Sequence, residues 1–241
     1  MNRTKYFWPV IALMLSLEAI AEEQAVNTQS LSPKQRSIVT ISAFTANGDL
    51  EKLKRALSEG LEAGLTVNEI KEILVQLYAY TGFPRSLNGI STFMSVMEER
   101  QKKGISDEIG KEASPLPYNL NKDEYGARVR AKLSGSDVIP PPSGFQLFAP
   151  IIDTFLKEHL FADIFARDNL DIRSRELATI SALASLTGTR SQLQFHLGAA
   201  MNVGLTEDHV KDFISVLETK VGKREAEGAN QVLAAVLQSR K

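Results

Sequence analysis

Cysteine is absent from all 241 residues. That one absence removes disulfides, thiolate nucleophiles, thiolate zinc sites and redox pairs together. Histidine is scarce as well. His159, His196 and His209 stand far apart, and neither His-x-x-x-His nor His-Glu-x-x-His occurs. A metal would need carboxylates to complete its ligand set, so no metal site is expected. Charge of one sign is also missing, with 28 basic residues against 29 acidic and a net charge of -1. Without a long basic stripe or Lys/Arg patch interleaved with aromatics, nucleic acid is not an expected partner. The balance leaves small molecules and protein partners. Strand-like alternation is lacking too, and the apolar positions recur at three and four.

The first residues read as an export signal. Arg3 and Lys5 give a positive start, 7–17 is an apolar run, and Ala19-Ile20-Ala21 is a small-x-small cleavage site before Glu22-Glu23. The run is too short for a comfortable membrane span. A signal peptide over 1–21 and an exported, periplasmic or secreted chain starting near Glu22 are expected, with no membrane contact in the mature form. An uncleaved anchor is the alternative.

At 43% hydrophobic the chain can bury one sizeable core or two small ones. Ser32-Pro33 is an N-cap followed by proline at the first helical position. The run it opens places Ile38, Ile41, Ala43 and Phe44 near one side and stops at Asn47-Gly48. Asp49 caps a second helix with a stripe of Leu50, Leu53, Leu57 and Leu61, ended at Gly64. Thr66-Val67-Asn68-Glu69 is a capping box for a third helix. Thr81-Gly82-Phe83-Pro84 breaks it, and 86–100 makes a fourth. Residues 104–144, with Pro115, Pro117 and Pro140-Pro141-Pro142, read as an extended connector holding one short polar helix over 122–133. From Phe145 the apolar signal returns through Phe148, Ile151, Ile152, Phe155 and Phe161, as one helix or two with aromatic faces too rich to leave in water.

After that, Asp171 caps a second copy of the first unit. Arg36 aligns with Arg175, and Thr40-Ile41-Ser42-Ala43 with Thr179-Ile180-Ser181-Ala182. After one inserted residue, Gly64-Leu65-Thr66 aligns with Gly204-Leu205-Thr206, and Lys71 with Lys211. The expected organisation is therefore an all-α fold of two tandem repeats, 22–103 and 145–241, joined by the 104–144 connector. Ala56 stands where the second copy has His196, which makes the first copy a scaffold half.

Arg-x-x-x-Thr-Ile-Ser-Ala, then Leu-x-x-His-Leu-x-x-Ala-x-x-x-Gly-Leu-Thr-x-x-x-Val over 193–210, together with Tyr80-Thr81-Gly82-Phe83-Pro84, resembles the carboxymuconolactone decarboxylase family, which includes the alkylhydroperoxidase-D-like proteins. The resemblance implies two tandem alkylhydroperoxidase-D-like helical units. It also implies assembly in a ring, here a homotrimer with six repeats around it; a pseudo-dimeric monomer is the alternative. The peroxidase branch of the family carries Cys-x-x-Cys where this chain has Thr189 and Gln192, so the resemblance does not carry peroxidatic chemistry over. By position, His196 falls on the family histidine and Glu176 close to its acidic residue.

Decarboxylating a lactone acid needs a donor where charge builds and an acid to protonate the carbon left behind. The expected catalytic residues are His196 as acid/base, Glu176 as orienting carboxylate and Arg175 as bidentate anion clamp, with no cofactor. Counted from Gly188, Glu176 lies about 12 residues back and His196 about 8 forward, so at about 1.5 Å per residue their heights differ by roughly 6 Å. Direct contact would need a steep helix crossing or a bridging group. The duller alternatives are a packing histidine, arginines that lock helices by ion pairs, a Glu176 that serves the helix N-terminus, and Tyr78 and Tyr80 as core or interface aromatics. The expected function is a lyase or isomerase acting on a small carboxylated or lactone-type molecule. The alternatives are a non-catalytic binding or assembly protein and a peroxidase-related antioxidant protein.

Overall fold

The computed structural model describes residues 30–240, so the expected export segment lies outside the described residues. Among these there is no strand, and no helix is long and apolar enough to cross a membrane. The first repeat contributes α1 (Pro33–Asn47), α2 (Leu50–Glu62) and α3 (Val67–Lys102). The connector contributes α4 (Lys122–Leu133). Then come α5 (Phe145–Phe148), α6 (Pro150–Thr154) and a π-helical stretch π1 (Phe155–Ile164). The second repeat proper is α7 (Ile172–Ala184), α8 (Arg190–Asn202), α9 (Glu207–Val216), a π turn π2 (Leu217–Val221) and α10 (Lys223–Ser239).

The expected caps form. Ser32 accepts from Gln35 N and Gln35 reaches back to Ser32 N, Asp49 accepts from Lys52 N, and Thr66 exchanges bonds with Glu69. The expected third and fourth helices are two arms of α3, separated at Gly82. Its φ of 76° is open to glycine at little cost, and Pro84 follows without an N–H to offer the broken turn. Leu53, Leu57 and Leu61 are buried as the stripe predicts, whereas Leu50 at the helix start is exposed.

α1 and α7 lie at the centre, packed on each other, and are buried on all sides over 37–46 and 174–183. A helix with no wet face must satisfy its polar groups internally. Most hydroxyls in and beside the Thr-Ile-Ser-Ala segments do so by bonding back about one turn: Thr40 to Ser37 O at 3.1 Å, Thr45 to Ile41 O at 2.7 Å, Thr179 to Arg175 O at 2.9 Å and Ser181 to Leu177 O at 2.6 Å, whereas Ser42 Oγ is buried without a partner. One continuous apolar core runs from Leu31 through both repeats to Val236.

The repeats also exchange arginines. Arg175 Nη2 donates to Glu72 Oε1 at 2.8 Å, and Arg36 Nη2 donates to Asp212 at 2.7 Å. Since Lys71 aligns with Lys211, Glu72 aligns with Asp212, and each repeat's arginine reaches the same carboxylate position of the other. This reciprocity is the signature of a pseudo-two-fold axis. The pairs differ in burial. Arg175 and Glu72 side chains are each 1% exposed, but Arg36 is 47% exposed.

The connector wraps the surface, and part of it packs closely. Glu108 O and Ile109 O accept from Val67 N and Asn68 N at the start of α3, and Lys111 and Ser114 tie to Asp168. α4 lies against π1. A Cβ on Gly126 would stand 1.8 Å from Lys157 O, so only glycine allows the two backbones to approach this closely. Leu133, Leu160, Phe161, Ile164 and Ala199 form a second, smaller core there. The outer faces of α5, α6 and π1 remain in water, with Leu147, Phe148, Ile151 and Phe155 exposed.

Two stability outcomes follow. In urea titrations, Glu72→Ala strands a buried guanidinium and costs about 3–5 kcal/mol, whereas Asp212→Ala, which releases a half-exposed arginine and the Leu31 N–H, costs about 1–2 kcal/mol. Equal losses would refute the unequal burial. Gly126→Ala forces α4 off π1 at a cost of about 1–3 kcal/mol, with faster amide exchange across 122–133 and 155–164. Unchanged exchange there would show that the contact is not made.

Candidate functional site

The site sits in the helical hairpin of α7 and α8. Asp171 fixes where α7 begins by accepting from Arg173 N and Ser174 N. That start sets Glu176 on the inner face, with its carboxylate fully buried. His196 Nδ1 lies 2.8 Å from Glu176 Oε2, so the two meet directly and no bridging group is needed. The height estimate fails because the turn is longer than a pivot at Gly188. α7 ends at Ala184 and α8 starts at Arg190, leaving Glu176 and His196 eight and six residues from the hairpin's helix ends, about 3 Å apart in height.

A carboxylate offers only acceptors, so Nδ1 is the donor and the second ring nitrogen, Nε2, is the one left for another partner. Nε2 has no hydrogen-bond partner among the described residues, and the side chain keeps 7% exposure. Two rings hold the imidazole edge-on. The Phe195 centroid is 5.1 Å away at 89° and the Tyr80 centroid 5.6 Å away at 82°.

Tyr80 comes from the first repeat, on the last turn before the Gly82 break, so both repeats build the site. Its hydroxyl and Glu176 Oε1 are both shut off from solvent without hydrogen-bond partners. Burial, and then the negative charge of Glu176, push the phenol well above its ordinary range. The hydroxyl therefore keeps its proton beside the pair.

Arg175, expected as an anion clamp, is placed elsewhere. Its Nη1 donates to Gln76 Oε1 at 2.9 Å, and its Nη2 to Glu72 Oε1 and to Arg167 O at 2.6 Å. A substrate carboxylate would have to displace Glu72 from a site with almost no exposed surface. Burial lowers the guanidinium's pKa and Glu72 works against that shift. The residue is thus an interior brace between repeats, the helix-locking alternative. Gln76 Nε2 extends the brace by donating to Arg175 O at 2.9 Å and Thr179 Oγ1 at 3.0 Å.

Sequence reasoning missed Glu72, Gln76 and Arg167, although carrying the repeat register one residue past Lys71 would have paired Glu72 with Asp212. It also left Phe195 without a role. The other two histidines have local partners. His209 Nδ1 accepts from Thr206 N at 3.1 Å as a helix cap, and His159 bridges Tyr78 and Asp163. In the first repeat Ala56 is buried at the His196 position and Ser37 stands at that of Glu176, so no second pair exists there. Among the described residues no group of three or more His, Cys, Asp or Glu side chains could hold a metal ion.

Similarity to known proteins follows the same duplication. An uncharacterized protein of Methanocaldococcus jannaschii is 25% identical over 81 residues, spanning 33% of this chain and 76% of that protein. The profile of the carboxymuconolactone decarboxylase family matches twice, over 14–91 and 152–235. Those two segments make up well over half of the sequence and fall one on each repeat, the second containing both Glu176 and His196, and the chain therefore belongs to the carboxymuconolactone decarboxylase family.

Proposed function

We propose that the protein is a cofactor-free lyase or isomerase of the carboxymuconolactone decarboxylase type, acting on a small carboxylated or lactone-type molecule. One observation carries this reading: a histidine held through Nδ1 by a fully buried carboxylate, with Nε2 unpaired. In a decarboxylation the bond to the substrate's carboxylate breaks and carbon dioxide leaves. The electron pair passes into the adjacent lactone carbonyl as an enolate, and Nε2–H delivers a proton to the carbon left behind. Glu176 stabilises the imidazolium that carries this proton and holds the neutral ring left after the transfer as its Nδ1–H tautomer. Arg175 is a positioning residue, one step behind Glu176 on the same helix.

A second reading, a binding or assembly protein that keeps the fold without the chemistry, is favoured by the narrow 7% exposed edge of His196. The outward apolar face of α5, α6 and π1 supports a homotrimer, because isolated chains rarely leave so much contiguous apolar surface in water.

The catalytic reading is tested by carbon dioxide release from a carboxymuconolactone. His196→Ala lowers kcat by about 10²–10⁴-fold with circular dichroism unchanged, and Glu176→Gln loses less because its amide oxygen still accepts from Nδ1–H. Turnover indifferent to His196 would sink the catalytic assignment, and a wild-type protein inert toward every carboxylated lactone would leave the second reading standing. For the assembly, light scattering is expected to give three times the chain mass, with Phe148→Asp and Ile151→Asp together reducing it to one. A wild-type protein at one chain mass would overturn the trimer.

A further inference from the structure

The arginine expected to clamp a substrate anion is locked away, yet a different arginine lines a cleft whose wall, Phe195, touches the same histidine. An open cleft of about 450 Å³ lies between the end of α4, the outer face of α8 and the end of α10. Leu133, Ser134, Gln194, Phe195, Asn202 and Arg240 are among its lining residues, and no acidic side chain is.

Arg240 is aimed by a short relay. Its Nη1 donates to Asn202 Oδ1 at 2.8 Å, while Asn202 Nδ2 donates to Leu133 O, the last residue of α4, at 2.8 Å. The same Nη1 lies 3.5 Å from Gly198 O. Gly198 follows His196 by two residues, a step of about 200° around the helix, so it lies on the cleft face while His196 faces inward. Arg240 has no carboxylate partner among the described residues. A Cβ at Gly198 would meet nothing within 4 Å, so the floor of the cleft beside the arginine is open.

Phe195 joins the cleft to the site. It lines the cleft, is 38% exposed, and sets its ring edge-on against His196. One aromatic ring thus separates a cationic cleft from the imidazole.

We propose that this cleft binds the substrate as a small organic anion, with its carboxylate on Arg240, its apolar body along Gly198 and Phe195, and Phe195 acting as the door to His196. This deepens the catalytic reading and rests on it for the identity of the anion as substrate. The cleft's chemistry selects a carboxylate attached to a compact apolar or ring-shaped body. A guanidinium pre-aimed by an amide favours a planar, two-oxygen anion, and the exposed Phe195 ring favours an apolar remainder.

The probe is benzoate, with neutral benzamide as its isostere, titrated into the full chain while the His196 imidazole carbon-bound proton is followed by NMR. Benzoate is expected to shift that signal saturably and benzamide to bind at least tenfold more weakly. Arg240→Gln should weaken benzoate at least tenfold, with Arg240→Lys recovering part of the loss. Phe195→Ala should increase the His196 shift at saturation, because the ring no longer stands between the two. Benzoate that fails to saturate, that binds Arg240→Gln as it binds wild type, or that leaves His196 unmoved would overturn the proposal. His196→Ala separates the two claims. Retained benzoate binding by calorimetry, with turnover lost, supports both. Arg240-dependent binding together with turnover indifferent to His196 would overturn the substrate role of the cleft along with the catalytic reading, leaving only an anion site.

Discussion

The burial of α1 against α7 is the constraint on which the rest of the structure depends. Neither helix has a wet face, so each must be built from apolar and small hydroxyl residues, most of whose oxygens bond back into their own helix. Because the two are copies of one element, their packing is self-complementary and the charges around it come in exchanged pairs, Arg36 with Asp212 and Arg175 with Glu72. The two pairs have drifted to opposite electrostatic regimes. At Arg36 water screens the pair, and its net worth is small. At Arg175 the pair is sealed, and each member depends on the other to justify its burial.

That difference reaches the site through one residue of helix. Gln76, Glu72 and Arg167 hold Arg175, and Gln76 also grips Thr179, so α7 is clamped on both sides of Glu176 by groups from outside its own helix. A clamped α7 gives Glu176 a fixed position, and Glu176 gives His196 a fixed tautomer. Orientation of a proton-carrying imidazole to a fraction of an ångström is what acid–base work requires. The first repeat therefore serves the second as a tool-holder. It supplies the brace and the Tyr80 ring while its own equivalents, Ser37 and Ala56, carry no ionisable group.

Much of this was legible in the sequence wherever the signal was local. Ser32, Asp49, Thr66 and Asp171 announce their helix starts because a cap is decided within four residues, and Gly82-Phe83-Pro84 announces the break in α3. The family resemblance singles out Glu176 and His196, while the height estimate sets them too far apart, since the length of the turn over 185–189 depends on where α7 unwinds. The interior place of Arg175 is illegible for a deeper reason. Nothing in its own helix shows that Glu72, 103 residues away in sequence, will occupy it. α4 was read as a polar surface helix because charges dominate it, and the meaning of Gly126 appears only when the Lys157 backbone is seen against it.

α4 also makes the surroundings of the two repeats unequal. It packs on π1 and α8, both in the second half, and with Leu133 and Ala199 it closes a small core that the first repeat lacks. Its final carbonyl, Leu133 O, holds Asn202, and Asn202 holds Arg240. The cleft beside His196 thus owes its cation's aim to an element that belongs to neither copy of the repeat. A duplicated scaffold is symmetric by origin and offers two equivalent places for chemistry. Inserting one helix against one copy breaks that equivalence, and in this chain the insertion lies on the side where the histidine stands.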